Sequence, residues 1–247
     1  MKRVLSMALT ASLMSSAAMA FEITGGSLVL NQNMVNYTDS VESGYVQNTQ
    51  GSIAFNLGNG FGSQAGLSFG TDISERDYLN GDVHLTYAAS PDVTLGAFVG
   101  EETLNFGGGY VSKYIFSGVE VAYTKNALSV QTAVMSETNL DHDHYAHKAI
   151  AIDAVYGLTQ TVSLTSGLHV LAGEEFAYQL MNEYTYQYIY VGTTFAITPK
   201  VDLNLTYGQM NVVNNYKTRQ VSLSLTYKLR KPALFLQRDS FSLLPGA

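Results

Sequence analysis

The chain contains no cysteine and no tryptophan in 247 residues. Without thiols there can be no disulfide, no thiolate metal site, no cysteine nucleophile and no lipidated N-terminal cysteine. Proline is almost as scarce, at 4 residues. Pro91 and Pro199 fall in short breaks between patterned segments, and Pro232 and Pro245 lie beyond Lys231, so no patterned segment is interrupted. Basic charge is thin: 13 Lys and Arg stand against 20 Asp and Glu, a net charge of −7. A chain so poor in cations lacks the basic face that phosphate binding needs, which excludes nucleic acid as a partner. Long apolar runs are missing too. Although 46% of the residues are hydrophobic, no segment after the N-terminus offers about 18 consecutive apolar residues, so only a closed sheet could carry the chain into a bilayer.

At the N-terminus, Lys2 and Arg3 precede an apolar stretch from Val4 to Leu13, and Ala18-Met19-Ala20 supplies a small-residue cleavage site. Residues 1–20 therefore read as a secretory signal peptide. Its removal takes two cations and no acid, moving the net charge from −7 to −9. The remainder is rich in glycine (22 residues in the whole chain) and tyrosine (17 residues), and no linker divides it.

From residue 21 onward, alternation of apolar and polar side chains outlines twelve strands: 21–30, 45–57, 63–71, 81–88, 92–100, 112–124, 127–136, 148–157, 160–172, 184–197, 200–210 and 219–229. Val201, Leu203 and Leu205 share one parity while Asp202, Asn204 and Thr206 share the other, and Val221, Leu223, Leu225 and Tyr227 alternate with Ser222, Ser224 and Thr226. Every second strand carries an aromatic near its end: Phe55, Tyr87, Tyr123, Tyr156, Phe195 and Tyr227. The first five stand just before compact turns. Gaps between strands alternate long and short along the chain. Aromatics gathered at one end, apolar residues on one parity and alternating loop lengths together describe an all-β fold, a closed antiparallel transmembrane β-barrel of about twelve strands. Its short turns are expected to face the periplasm and its longer loops the exterior, with the barrel over 21–229 and a periplasmic tail over 230–247.

From the opening Phe21-Glu22-Ile23-Thr24-Gly25-Gly26-Ser27-Leu28 to the last strand Val221 to Leu229, the chain resembles the small porin-like outer-membrane barrels of Gram-negative bacteria. The resemblance implies passive diffusion of small hydrophilic solutes, with outer-membrane lipid as the surrounding partner and no cofactor. One departure stands out. Such proteins usually end on the aromatic of the last strand, whereas here Arg230 to Ala247 follow it.

Several residues could carry chemistry. By parity Asp82, His84, Glu120, Asp153 and Asp202 point into the lumen, and Arg219 and Lys228 are expected there as possible partners. A carboxylate inside a barrel must be hydrated or paired, so these groups describe either an acidic channel preferring cations and neutral solutes or, if pairs dominate, a plugged polar core. His142, His144 and His147, in Asp141-His142-Asp143-His144-Tyr145-Ala146-His147, have ligand types suited to zinc, copper or nickel, or are simply a solvated loop. His84 and His169 with the inward hydroxyls Ser68 and Thr165 suggest a hydrolase only weakly, because no Gly-x-Ser-x-Gly or His-Glu-x-x-His signature accompanies them. No catalytic residue is assigned. The stretch Glu101-Glu102-Thr103-Leu104-Asn105-Phe106-Gly107-Gly108-Gly109 reads as a surface loop, or as one folded into the pore mouth. The tail is either a periplasmic extension or a segment whose Leu234, Phe235, Leu236 and Phe241 enter the barrel.

Overall fold

The computed structural model describes residues 22–37, 43–71, 77–105, 111–141, 146–177, 180–212, 217–230 and 234–236. The expected signal peptide, His142 and His144 lie outside them. Twelve strands follow one another: β1 (Glu22–Tyr37), β2 (Ser43–Gly58), β3 (Phe61–Thr71), β4 (Asp77–Ala88), β5 (Val93–Asn105), β6 (Val111–Lys125), β7 (Leu128–Asn139), β8 (Ala146–Gly157), β9 (Val162–Ala177), β10 (Leu180–Thr198), β11 (Val201–Val212) and β12 (Lys217–Lys228). Each pairs antiparallel with its sequence neighbours, and β1 closes on β12 with a register from Ser27 opposite Lys228 to Tyr37 opposite Thr218. Closure removes every free sheet edge, the condition for backbone to sit in hydrocarbon.

Local chemistry fixes the short turns. Asn59 and Asn126 adopt φ of 54° and 55°, left-handed values that asparagine tolerates better than other side chains. Ser90 Oγ accepts hydrogen bonds from the amides of Asp92 (3.3 Å) and Val93 (3.1 Å), and Thr159 Oγ1 accepts from Thr161 (3.2 Å) and Val162 (3.0 Å). Turn geometry then sets the register of each hairpin, and one slipped residue would turn its apolar face inward.

The outer surface carries the apolar parity. Leu30, Leu67, Val83, Val119, Ile150 and Leu223 are all exposed, as a band facing acyl chains requires. The aromatic ends keep the same parity at the short-turn rim, where Phe61 adds itself against Tyr87 at a centroid distance of 4.9 Å. Most strands run further toward the long loops than alternation suggested: β1 reaches Tyr37 rather than residue 30, β5 reaches Asn105 rather than 100, and β10 begins at Leu180 rather than 184. Beyond the apolar band the outward positions turn polar, as at Gln32, Asp77, Glu101, Lys113 and Lys148, all exposed. The two-residue contrast fades there while the backbone ladder continues. Glu101 and Glu102 thus belong to β5 rather than to a loop. Glu101 lies on the outer face 3.6 Å from Lys113, while Glu102 is buried inside.

Candidate functional site: the lumen

The inward parity divides into two levels. Around the waist, nearly every inward side chain is buried. One arc, from β1 to β4, presents short polar groups: Asn33, Asn48, Ser68 and Asn80. The other, from β5 round to β11, presents Phe98, Phe116, Met135, Leu171, Tyr188 and Met210, packed as one cluster with Tyr186 and Tyr190 beside it. A twelve-stranded lumen exceeds the eight-stranded width that side chains just fill, and the rings narrow it while lying over glycines of neighbouring strands. A Cβ at Gly100 would collide with Phe116, one at Gly118 with Phe98, one at Gly167 with Tyr190 and one at Gly208 with Tyr188. Nearer the short turns the lining is half-buried and hydroxyl-rich. Asn204 there donates to Ser224 (3.1 Å) and Thr226 (3.2 Å) and accepts from Thr194 (2.6 Å).

The inward acids outnumber the cations they touch. Asp82 and His84 are two residues apart on β4, and Glu120 reaches the same histidine from β6 across the gap left by Gly96 on β5. His84 Nδ1 lies 2.5 Å from Glu120 Oε1, and Nε2 lies 3.4 Å from Asp82 Oδ1, with all three side chains fully buried. A third of the way round the barrel, His169 Nε2 (β9) and the Tyr190 hydroxyl (β10) each donate to Asp153 Oδ1 (β8) at 2.7 Å. Toward the long loops Glu137 (β7) meets His147 (β8) at 2.9 Å, and Tyr114 stacks on that imidazole at 6.1 Å. At the short-turn level Lys228 Nζ contacts Asp202 Oδ1 at 2.8 Å, both side chains 18% exposed. A carboxylate with an imidazole or ammonium in contact is a far smaller electrostatic burden than the same group alone in low dielectric.

Of the residues expected to line the lumen, Asp82, His84, Glu120, Asp153 and Asp202 lie on its inward parity. Arg219 does not. It sits on the outward parity of β12 with Val221 and Leu223, is exposed, and pairs in register with Gln209. Lys228 has the opposite parity to Arg219, so without a bulge the two cannot both face inward. Arg219 instead continues the polar outer belt formed by Lys113 and Lys148. His147 engages Glu137, and among the described residues no three His, Cys, Asp or Glu side chains are arranged to hold a metal. Glu137, Tyr188, Tyr190, Gln64 and Gln131 escaped the sequence reading as lumen groups, and Glu102 was expected at the pore only as part of a loop folded into its mouth. Parity alone could have found Glu137, which shares the inward side of β7 with Ala133 and Met135.

No protein-family model matches the chain, and no curated protein does either. Solved structures match over most of its length. A COG4313 outer-membrane channel from Pseudomonas putida F1 superposes with a TM-score of 0.63 at 15% identity, covering 87% of this chain and 98% of that one. The fold is that of the outer-membrane porins and channels. The KdgM porin, in complex with disordered oligogalacturonate, gives 0.55 at 10% identity over 81% of this chain and 98% of its own. A loop-deletion form of OmpT, an outer-membrane protein of Vibrio cholerae, gives 0.51 at 9% identity over 83% and 100%. At these identities the likeness concerns the barrel; the lumen's chemistry is this chain's own.

Proposed function

We propose that the protein is a narrow outer-membrane channel, described here in a closed conformation, that passes small hydrophilic solutes by diffusion and favours cations and neutral molecules over anions. Its short turns and termini face the periplasm, and its long loops face outward. The observation that supports this most is the sign of the lumen charge. Asp82, Glu102, Glu120, Glu137, Asp153 and Asp202 are inward acids, against Lys228 as the inward lysine among the described residues and three histidines. A barrel needing only a packed interior would be served as well by apolar side chains, since replacing buried ion pairs with such groups is often neutral or stabilising. Retained ionisable groups inside a membrane span mark a path for ions or polar solutes. The buried amide of Asn33 and hydroxyl of Ser68 make no protein hydrogen bond, so they are available to water or to solute hydroxyls.

The neighbour's oligogalacturonate is a polyanion, and a lumen this acidic disfavours such a cargo electrostatically. A second reading, a sealed structural barrel with surface loops for binding, draws on the buried waist of Phe98, Phe116 and Met135. Swelling of liposomes loaded with the refolded protein separates the two. A diffusion channel admits a small uncharged sugar and a cationic solute of equal size faster than an anionic one, whereas a sealed barrel admits none of the three.

A further inference from the structure

Three residues of the segment expected to be a periplasmic tail lie against the lumen lining, Phe235 buried and its neighbours Leu234 and Leu236 exposed. Phe235 is 2% exposed. Gln64 on β3 donates its Nε2 to the Phe235 carbonyl at 2.7 Å and accepts from the Phe235 amide at 3.2 Å. Gln131 on β7 does the same on the other side, donating to the Leu234 carbonyl at 2.7 Å and accepting from the Leu236 amide at 3.3 Å. A carboxamide offers the same donor and acceptor as a peptide group. Each glutamine therefore stands in for a peptide group, and the two grip different edges of the tripeptide, Gln64 the Phe235 amide and carbonyl and Gln131 the flanking Leu234 carbonyl and Leu236 amide. The ring of Phe235 stacks on His84, with a centroid distance of 6.2 Å and planes 4° apart. It also rests against Gly96, where a Cβ would come within 3.1 Å of its Cε2.

These contacts specify a seat. Gln64 and Gln131 lie in the short-turn half of strands four apart in the sheet, so the tripeptide crosses in front of β4, β5 and β6, against the buried His84 and Glu120. The buried amide and carbonyl of Phe235 both find their partner in Gln64, and Gln131 adds two exposed hydrogen bonds on the other edge, a match that a casual contact of an apolar segment would not provide. His84, already held between Asp82 and Glu120, supplies the ring's platform, and Gly96 makes room both for Phe235 and for the carboxylate of Glu120. We propose that Leu234–Leu236 is a built-in plug. It is an intramolecular peptide ligand whose seat is made by Gln64, Gln131, His84 and Gly96, and it obstructs the short-turn mouth until it is displaced. This rests on the channel reading above, because a plug has meaning only where there is a path to close.

The absence of native cysteine makes the test clean. In the full chain, Gln131→Cys with Leu236→Cys removes one clasp and creates the one thiol pair, which oxidation or a short bis-thiol reagent then joins. High linking yield is expected in the folded protein, with low conductance while linked and a several-fold rise on reduction. Gln64→Ala with Gln131→Ala and, separately, Phe235→Ala should raise conductance several-fold in the unlinked protein. Heat-modifiable gel mobility confirms folding for each, and the glutamine pair keeps the test alive if Phe235→Ala fails to assemble. Poor linking in folded protein overturns the seat. Efficient linking with unchanged conductance, linked or free, overturns the plug and leaves the channel standing. Absence of current in every variant, with the tail released, overturns the plug together with the channel reading.

Discussion

The waist and the short-turn mouth of the lumen solve one problem in opposite ways. At the waist, Asp82, His84 and Glu120 are fully buried in mutual contact. At the mouth, Asp202 and Lys228 hold a similar distance, 2.8 Å, with water reaching both. Coulomb attraction at a given separation is several times larger in low dielectric than near bulk water, but so is the penalty for leaving either partner alone. Equal geometry therefore implies unequal consequences. Waist charges are structural commitments, while mouth charges can pair or meet solute at little cost to the fold. The wall follows the same division: rings over glycines at the waist, short hydroxyls and amides at the mouth.

The largest effect expected from this contrast is at His84. His84→Ala strands two carboxylates in a buried site and should cost about 3–5 kcal/mol, read as a collapse of the heat-resistant folded band. Restoring that band by combining His84→Leu with Asp82→Asn and Glu120→Gln would show that the loss came from orphaned charge rather than from lost ring packing. If His84→Ala alone folds as well as the native chain, the waist is wetter than its burial implies.

Next in size is a substitution pair at the mouth level. Leu203 and Asn204 are neighbours on β11 with opposite parity, the first opposite Leu225 and Phe195, the second bonded within the lumen. Leu203→Arg places a cation on the lipid face close to the aromatic rim and should cost more than about 1 kcal/mol, less than the roughly 2–4 kcal/mol of a midplane position. Asn204→Arg should assemble nearly normally, since the half-buried mouth can hydrate the new charge. Equal damage at both sites would erase the distinction between a wet mouth and a dry exterior.

The smallest effect belongs to Lys228→Ala. Removing one partner of a solvent-touched pair should cost about 1 kcal/mol or less, well below the loss at His84 under the same denaturant titration. A loss as large as that at His84 would mean that the mouth is as dry as the waist.

How much of this was legible in the sequence depends on where water and lipid meet the chain. Leu203, Leu223 and Val119 face acyl chains, so their alternation revealed the barrel, its strand count and the inward set of Asp82, Glu120 and Asp153 without any contact information. Arg219 was misassigned because at the polar outer belt both parities are hydrophilic and alternation loses its meaning. Glu102 was placed in a loop for the same reason, since the strand outlasts the apolar band. The narrowing of the waist could not be seen, because Gly100 with Phe116 or Gly208 with Tyr188 becomes a pair only through cross-strand register. Leu234-Phe235-Leu236 shows apolar character and nothing of its seat, which is built by two neutral glutamines on β3 and β7.

The reversal potential of the refolded full chain across a planar bilayer under a salt gradient addresses the acidic lumen most directly. The expected result is discrete conductance steps with a cation-selective potential that fades as salt approaches about 1 M, where the screening length falls to about 3 Å. Asp202→Asn, at the wet mouth, should reduce that selectivity without loss of folded protein. Anion selectivity, or no conductance steps at all even with the tail released, would contradict it.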